Sequence, residues 1–223
     1  MLKFSNLGFG FKLAITTSLP LALLMYFELS TRLDMQAEMD KLSSLAQTVA
    51  TSSQLIHEYQ RERGSSALFL GSKGKEFGGE LASQRKRTET ERGRAAAVLA
   101  SLTTQAPDEF KSAIAKATEA VAILDGKRKE IDALSIAVPA STAFFTARIG
   151  SLLAFANEMA KVSRNGDVSR AILTYVNFMQ AKELAGLERA TGAGGISSGR
   201  FDPAGHKRML SLATGQDTYL TIF

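Results

Sequence analysis

The sequence lacks the residues on which several common kinds of functional site depend. It has no cysteine and no tryptophan, and only four prolines and two histidines, in 223 residues. The absence of cysteine excludes disulfides, thiolate catalysis and cysteine-ligated metals. The two histidines, His57 and His206, cannot form a multi-histidine metal site, and Ser65 and Ser66 have no evident histidine base. We therefore expect no metal, no cofactor and no enzymatic activity.

Long runs of one charge are also missing. The 27 basic and 22 acidic residues are interleaved and leave a net charge of +5. Without a basic run or a tryptophan stacking platform, we expect no nucleic-acid partner. Strand-like alternation is scarce, whereas Ala, Leu, Glu, Lys, Gln and Arg are abundant. This composition predicts an all-α fold.

The region near the amino terminus contains an apolar segment that could cross a membrane. Residues 13–27 carry no charge, and the weakly apolar flank from Leu7 brings the segment to about 20 residues, enough to cross a bilayer. Lys3 and Lys12 precede the segment without any acid, which keeps the amino terminus in the cytoplasm. A cleaved signal peptide and a buried core helix are the alternatives, but no clear Ala-x-Ala cleavage pattern follows Phe27. The sequence thus predicts a cytoplasmic tip and single transmembrane anchor over residues 1–30 in the inner membrane, with a periplasmic domain over residues 31–223.

Turn-forming residues divide the predicted domain into six helices. They cover residues 31–63, with a seam that continues to Leu70, and then about 80–102, 107–134, 142–164, 168–191 and 204–223. The glycine-rich stretch 192–199 is interpreted as a connector. The last helix has no closing cap before Phe223, so we expect that the chain is truncated there. The pattern predicts an antiparallel bundle of long helices.

An arginine interrupts the apolar seam of the first of these helices. A seven-residue spacing aligns Arg63 with the following residues: Leu42, Leu45, Val49, Ser52, Ile56, Tyr59, Ser66 and Leu70. A guanidinium at a core position would cost several kcal/mol if it were unpaired, so it must meet an acid, carbonyls or an anion. Gly64 is small and leaves room beside it. On the second helix, Arg85 and Thr88 interrupt the apolar stripe in the same way.

Two similar sequences, Glu62-Arg63-Gly64 and Glu188-Arg189-Ala190, lie on different predicted helices. They have two interpretations. In the first, the arginines and glutamates form structural ion pairs between helices. In the second, one guanidinium from each helix binds a small oxyanion, because the planar set of donors on a guanidinium matches two oxygens. Periodicity places Arg63 inward but puts Arg189 on the flank of its helix.

The chain resembles the nitrate- and nitrite-sensing (NIT) family, an all-helical module of bacterial receptors, kinases and antiterminators. The stretches that carry the resemblance are Ile56–Ala67, Phe69–Gly74, Gln84-Arg85 with Thr88, Phe178–Gly192, and Gly199–Asp202 with Gln216 and Tyr219-Leu220. The resemblance implies two stacked helical bundles and nitrate or nitrite as the ligand. It also implies that Arg63 and Arg189 are the anion contacts.

Together these observations give one expected function and one alternative. We expect that the chain is the sensor domain of a transmembrane receptor and forms a homodimer. Anion binding is expected to change the packing of its helices and so to signal to an output module outside this chain, in a chemoreceptor or a histidine kinase. The supporting residues are expected to be Glu62, Gly64, Ser66, Arg85, Thr88 and Glu188. The alternative is a ligand-free dimerisation module in which the Arg-Glu pairs are structural.

Overall fold

Every secondary-structure element in the described part of the chain is a helix. The computed structural model describes residues 8–103, 108–122, 124–163, 165–197 and 202–223. Its helices are α1 (Phe9–Gly71), α2 (Gly78–Thr103), α3 (Asp108–Ala122), α4 (Asp125–Asp132), α5 (Val138–Val162), α6 (Gly166–Ser197) and α7 (Pro203–Ile222). The predicted all-α class is confirmed. The expected arrangement as two stacked bundles stays a prediction.

The chain divides into two compact units, Met1–Ser44 and Leu45–Phe223, and the division falls inside α1. In the described part of the first unit, the apolar side chains of the five consecutive residues 23–27 are all exposed. Because five consecutive residues point in all directions around a helix, this part of α1 is apolar on every side. The domain boundary expected after residue 30 stays a prediction.

The second unit contains the hydrophobic core, with Tyr59 of α1 among its fully buried side chains. The Tyr59 ring meets Phe145 of α5 edge-on at 6.2 Å between centroids. The Tyr59 hydroxyl donates to the carbonyl of Ala120, 3.0 Å away, in the last turn of α3, where helix carbonyls lack a partner within the helix. Among the side chains that α5 contributes to the core are Phe145, Ile149, Leu152, Leu153, Phe155 and Met159. One tyrosine thus ties three helices together.

Contacts along the helices show the directions in which they run. Gln84 of α2 bonds to Glu58 of α1, and Gly78 lies against Phe69, so α1 and α2 are antiparallel. The helices α6 and α7 are also antiparallel, because Leu184 meets Gly215 and Gly192 meets Met209. A Cβ atom at Gly215 would lie 2.8 Å from Leu184 Cδ1, so the leucine fills the recess left by the glycine.

Two predicted boundaries were wrong. The expected helix over 107–134 is two helices, and α4 begins at Asp125-Gly126, a dipeptide typical of turns. The expected loop at 192–195 is helical, because α6 continues to Ser197. There the packing against α7 overrides the low helix propensity of glycine, since Met209 lies 3.6 Å from the Cβ position of Gly192.

The start of α7 follows its sequence signals. Asp202 caps the helix by accepting a hydrogen bond from the Gly205 amide at 2.6 Å, and Pro203 occupies the first helical turn. The helix start expected near Pro107 and the resemblance residues 199–201 lie outside the described residues.

Removing the Tyr59 hydroxyl tests the junction of α1, α3 and α5. We expect Tyr59→Phe to lower the free energy of unfolding by about 1–3 kcal/mol, because it leaves the buried Ala120 carbonyl without a partner. Tyr219→Phe is the control, with an expected change within about 0.5 kcal/mol. Urea unfolding of both variants measures the difference, and equal stabilities would contradict this role of Tyr59.

Candidate functional site

A short segment of α1, residues 58–66, buries an unusual number of polar side chains. Glu62 and Ser66 are 0% exposed, Arg63 is 7% exposed, and Glu58 is also buried. Lys, Arg, Asp and Glu side chains are rarely buried unless they are paired. The partners of this segment therefore define the site.

Arg63 is paired with Glu183 of α6. Its Nη2 donates to Glu183 Oε2 at 3.0 Å, and its Nη1 donates to Glu183 Oε1 and to Thr146 Oγ1, the latter at 2.8 Å. The side-chain amide of Gln60 also donates to Glu183 Oε2, at 2.9 Å. The guanidinium and the carboxylate thus meet with two parallel bonds, the strongest geometry for such a pair.

Glu62 is directed to another neighbour of α1. Arg128 of α4 binds it with two bonds, Nε to Oε1 at 2.7 Å and Nη2 to Oε2 at 2.9 Å. Arg128 also donates to Glu89 of α2. Burial favours the neutral form of Arg128, but the bonds to Glu62 and Glu89 outweigh it and raise the pKa of the guanidinium. Glu62 is therefore neutralised by α4 instead of by Arg63.

The expected supporting residues lie on different sides of α1 and α6. Arg85 faces the Glu62 side: its Nη1 donates to Asp132 at 2.9 Å, and its Nε lies 3.9 Å from Glu62 Oε1. Thr88 is buried on α2 and donates to the carbonyl of Gln84. Arg85 therefore belongs to the Glu62 network, and Thr88 contacts Gln84, which bonds to Glu58.

The remaining expected residues are distributed as follows. Gly64 is exposed on α1. Ser66 is fully buried, and its Oγ has no hydrogen-bond partner among the described residues. Glu188 of α6 accepts a hydrogen bond from Gln216 of α7 at 2.5 Å, so it faces α7. Of these three, Ser66 is the one with unused bonding capacity in the interior.

The helices α1 and α6 run parallel. The sequence separation of contacting side chains stays nearly constant, at 122 for Ser53 and Tyr175 and 120 for Arg63 and Glu183. Farther along α6, the Cβ position of Gly186 lies 3.4 Å from Arg63 Nη2. The guanidinium is thus in contact with the α6 backbone at Gly186.

This register places Arg189 farther along the α1 and α6 pair than Arg63. The separation of 120–122 residues puts Arg189 level with residues 67–69 of α1, which is about 6–9 Å beyond Arg63 along the helix axis. Its side chain is exposed and forms no ion pair with a described residue. The two expected anion contacts therefore lie between one and two turns apart along the α1 and α6 pair. Arg63 is buried and paired, whereas Arg189 is exposed and has no ion pair among the described residues.

Sequence reasoning missed two important partners, Glu183 and Arg128. Both left a signal. Glu183 continues the apolar stripe of α6 four residues after Met179 and four before Leu187, and Arg128 falls four residues after the buried Leu124. A charged residue at the spacing of core residues marks both positions, as it does for Arg63 on α1.

The other charged groups near the site provide no metal centre. In the described residues no group of three His, Asp or Glu side chains could hold a metal ion. His57 Nδ1 lies 3.0 Å from Lys182 Nζ. Burial, followed by the charge of Lys182, lowers the pKa of His57, so the neutral ring is favoured.

Comparison with known proteins identifies the family. The sequence model described as nitrate and nitrite sensing matches residues 54–223. The chain belongs to the nitrate- and nitrite-sensing family. The matched range begins just before the polar segment of α1 and includes both arginines.

Two relatives within this comparison are regulators. The nitrate regulatory protein of Klebsiella oxytoca is 27% identical over 191 residues, which are 86% of this chain and 48% of that protein. The structure of the NasR transcription antiterminator superposes with a TM-score of 0.79 at 26% identity, covering 91% of this chain and 56% of that one. The chain thus spans about half the length of these two relatives.

Removing Arg128 tests whether the Glu62 network holds α1 in place. We expect Arg128→Ala to cost about 3–5 kcal/mol of unfolding free energy, because it leaves the fully buried Glu62 carboxylate without its bidentate partner. Arg94→Ala removes an exposed pair with Glu91 and should cost about 0–1 kcal/mol. Urea denaturation compares the two, and a cost for Arg128→Ala as small as that for Arg94→Ala would show that the network is not stabilising.

Proposed function

We propose that this member of the nitrate- and nitrite-sensing family binds nitrate or nitrite between α1 and α6, with Arg63 and Arg189 as the anion contacts. The observation that carries the proposal is the parallel register of α1 and α6, which supports an approach of the two long side chains from positions between one and two helical turns apart. Nitrate and nitrite are small anions with oxygens that accept bonds from a planar donor fork.

The local environment supports an anion at this position. Gly186 allows the Arg63 guanidinium to reach the α6 backbone, and Ser66 has a buried hydroxyl with no partner among the described residues. An unsatisfied buried donor costs about 1–3 kcal/mol, and an oxyanion could satisfy it. The exposed guanidinium of Arg189 has no ion pair among the described residues. The remaining expected residues, Glu62, Gly64, Arg85, Thr88 and Glu188, would act by shaping the helices around the site.

A ligand-free dimerisation module is the competing function. The bidentate pair between Arg63 and Glu183 supports it, because the guanidinium already has an acidic partner. The expected homodimer is compatible with both functions. Stabilisation of the full chain that grows with nitrate or nitrite, but not with chloride, would favour sensing, since a ligand stabilises the folded state it binds.

We also propose that α1 anchors the protein in the inner membrane, with the sensing domain in the periplasm and the output in a separate part of a receptor or kinase. The stretch Phe9–Gln36 is long and apolar enough to span a membrane, and none of its described side chains is buried. Val138–Lys161 meets the same length and composition test, but one third of it is buried and it contributes to the core. That this chain has no nucleic-acid partner stays a prediction for its 223 residues. One of its relatives is a transcription antiterminator.

The exposed arginine provides the sharpest test of the anion site. We expect Arg189→Ala to weaken nitrate binding about tenfold or more, because a hydrogen bond to a charged group contributes about 1.5–3 kcal/mol. Its melting temperature should stay close to that of the parent chain, since the side chain is exposed. Calorimetry on the full chain in detergent, with nitrate and nitrite, measures the affinity.

Arg170→Ala is the matched control, because Arg170 lies on the same helix and is exposed. Its nitrate affinity should equal that of the parent chain. An equal affinity of Arg189→Ala and Arg170→Ala would remove Arg189 from the site. Binding of neither anion by the parent chain would refute the proposed function.

Charges placed in the first half of α1 test the anchor. We expect the parent chain to keep its full length and to remain in the membrane fraction after an alkaline wash. The double variant Leu21→Lys, Leu24→Lys should be released, because each charge costs about 2.5–3.5 kcal/mol at the centre of a span. Leu68→Lys, also at an exposed leucine of α1, should stay in the membrane. A parent chain that is soluble and shortened at its amino terminus would support the signal-peptide alternative instead.

A further inference from the structure

The guanidinium of Arg63 has little free bonding capacity on the side facing α6. Both of its terminal nitrogens donate to the Glu183 carboxylate, and Nη1 also donates to Thr146. Arg63 and Glu183 are 7% and 5% exposed, so water screens their attraction weakly. An anion that uses the same edge of Arg63 must therefore compete with this carboxylate.

The competing groups have the same shape. A carboxylate presents two oxygens in a plane to the two N–H groups of a guanidinium, and nitrate and nitrite do the same. Gly186 of α6 lies beside the guanidinium, because a Cβ atom added there would be 3.4 Å from Arg63 Nη2. An anion that uses the same two nitrogens of Arg63 must therefore take the place of the carboxylate.

We propose that Glu183 is an internal competitor for the anion site: nitrate or nitrite binds Arg63 by displacing the Glu183 carboxylate, so that Glu183 sets the affinity and couples binding to the contact between α1 and α6. This inference rests on the proposed function. Glu183 is a positioning residue, because it acts on the anion through Arg63.

Neighbouring groups are arranged for such an exchange. The Gln60 amide donates to Glu183 Oε2 at 2.9 Å and is itself only partly buried, so it can keep the displaced carboxylate hydrogen-bonded. Ser66 lies three residues after Arg63, a spacing at which side chains on a helix are neighbours. Its buried hydroxyl is without a partner among the described residues and can donate to the incoming anion.

The exchange has a direct effect on the helices. The bonds from Arg63 and Gln60 to Glu183 join α1 to α6, and displacement of the carboxylate breaks those made by Arg63. Anion binding therefore replaces a bond between two helices by bonds to a small ligand. This is a change in helix packing of the kind that a sensor needs.

The test is the affinity of Glu183→Gln for nitrate, measured by calorimetry on the full chain. Glutamine has the same size but no charge, so it competes weakly for Arg63, and we expect nitrate to bind about tenfold tighter or more than to the parent chain. Asp167→Asn is the matched control, since it removes one negative charge from an exposed site on the same helix. Its affinity should change by less than about threefold.

Glu183→Asp provides a second variant if Glu183→Gln does not fold. Aspartate keeps the charge but is one methylene shorter, so it cannot hold both nitrogens of Arg63, and nitrate should again bind more tightly than to the parent chain. Affinities of these variants equal to or below that of the parent chain would overturn the competition while leaving the proposed function intact. If neither the parent chain nor the variants bind nitrate or nitrite, the proposed function itself fails.

Discussion

The burial of two opposite charges at consecutive positions of α1 constrains much of the second unit. Because successive residues of a helix point about 100° apart, Glu62 and Arg63 face different neighbours and cannot neutralise each other. An uncompensated buried charge costs several kcal/mol, so each of them requires its own partner from another helix. Arg128 of α4 supplies one partner and Glu183 of α6 supplies the other. Two ion pairs thus fix two helices around the same turn of α1.

This constraint also involves α4. The helix α4 begins at Asp125, and its Arg128 reaches Glu62 with two bonds. The apolar face of α3 packs in the core through Ile114 and Ala117, among others. The polar network on this side of α1 is therefore part of the architecture, whereas the Arg63 side is where we propose that the anion binds.

The sequence predicted correctly those features that depend on the spacing of residues along a helix or on its capping residues. The seven-residue spacing correctly placed Arg63 inside, and the cap at Asp202 marked the start of α7. Periodicity reports which residues face inward but not which residue they meet, so Glu183 could not be assigned to Arg63. It also could not reveal that Gly192 continues α6, because packing against α7 decides that helix locally. The parallel register of α1 and α6 depends on contacts about 120 residues apart, which local patterns do not contain.

The recess at Gly215 has a mechanical consequence. Leu184, which follows Glu183 directly, fills the space that a Cβ atom at Gly215 would occupy. The side chain of Leu184 on α6 is thus seated in a recess of α7. Closely packed helices do not slide past each other without moving side chains out of their recesses. An axial displacement of α6 at Glu183 would therefore require Leu184 to leave this recess or α7 to move together with α6.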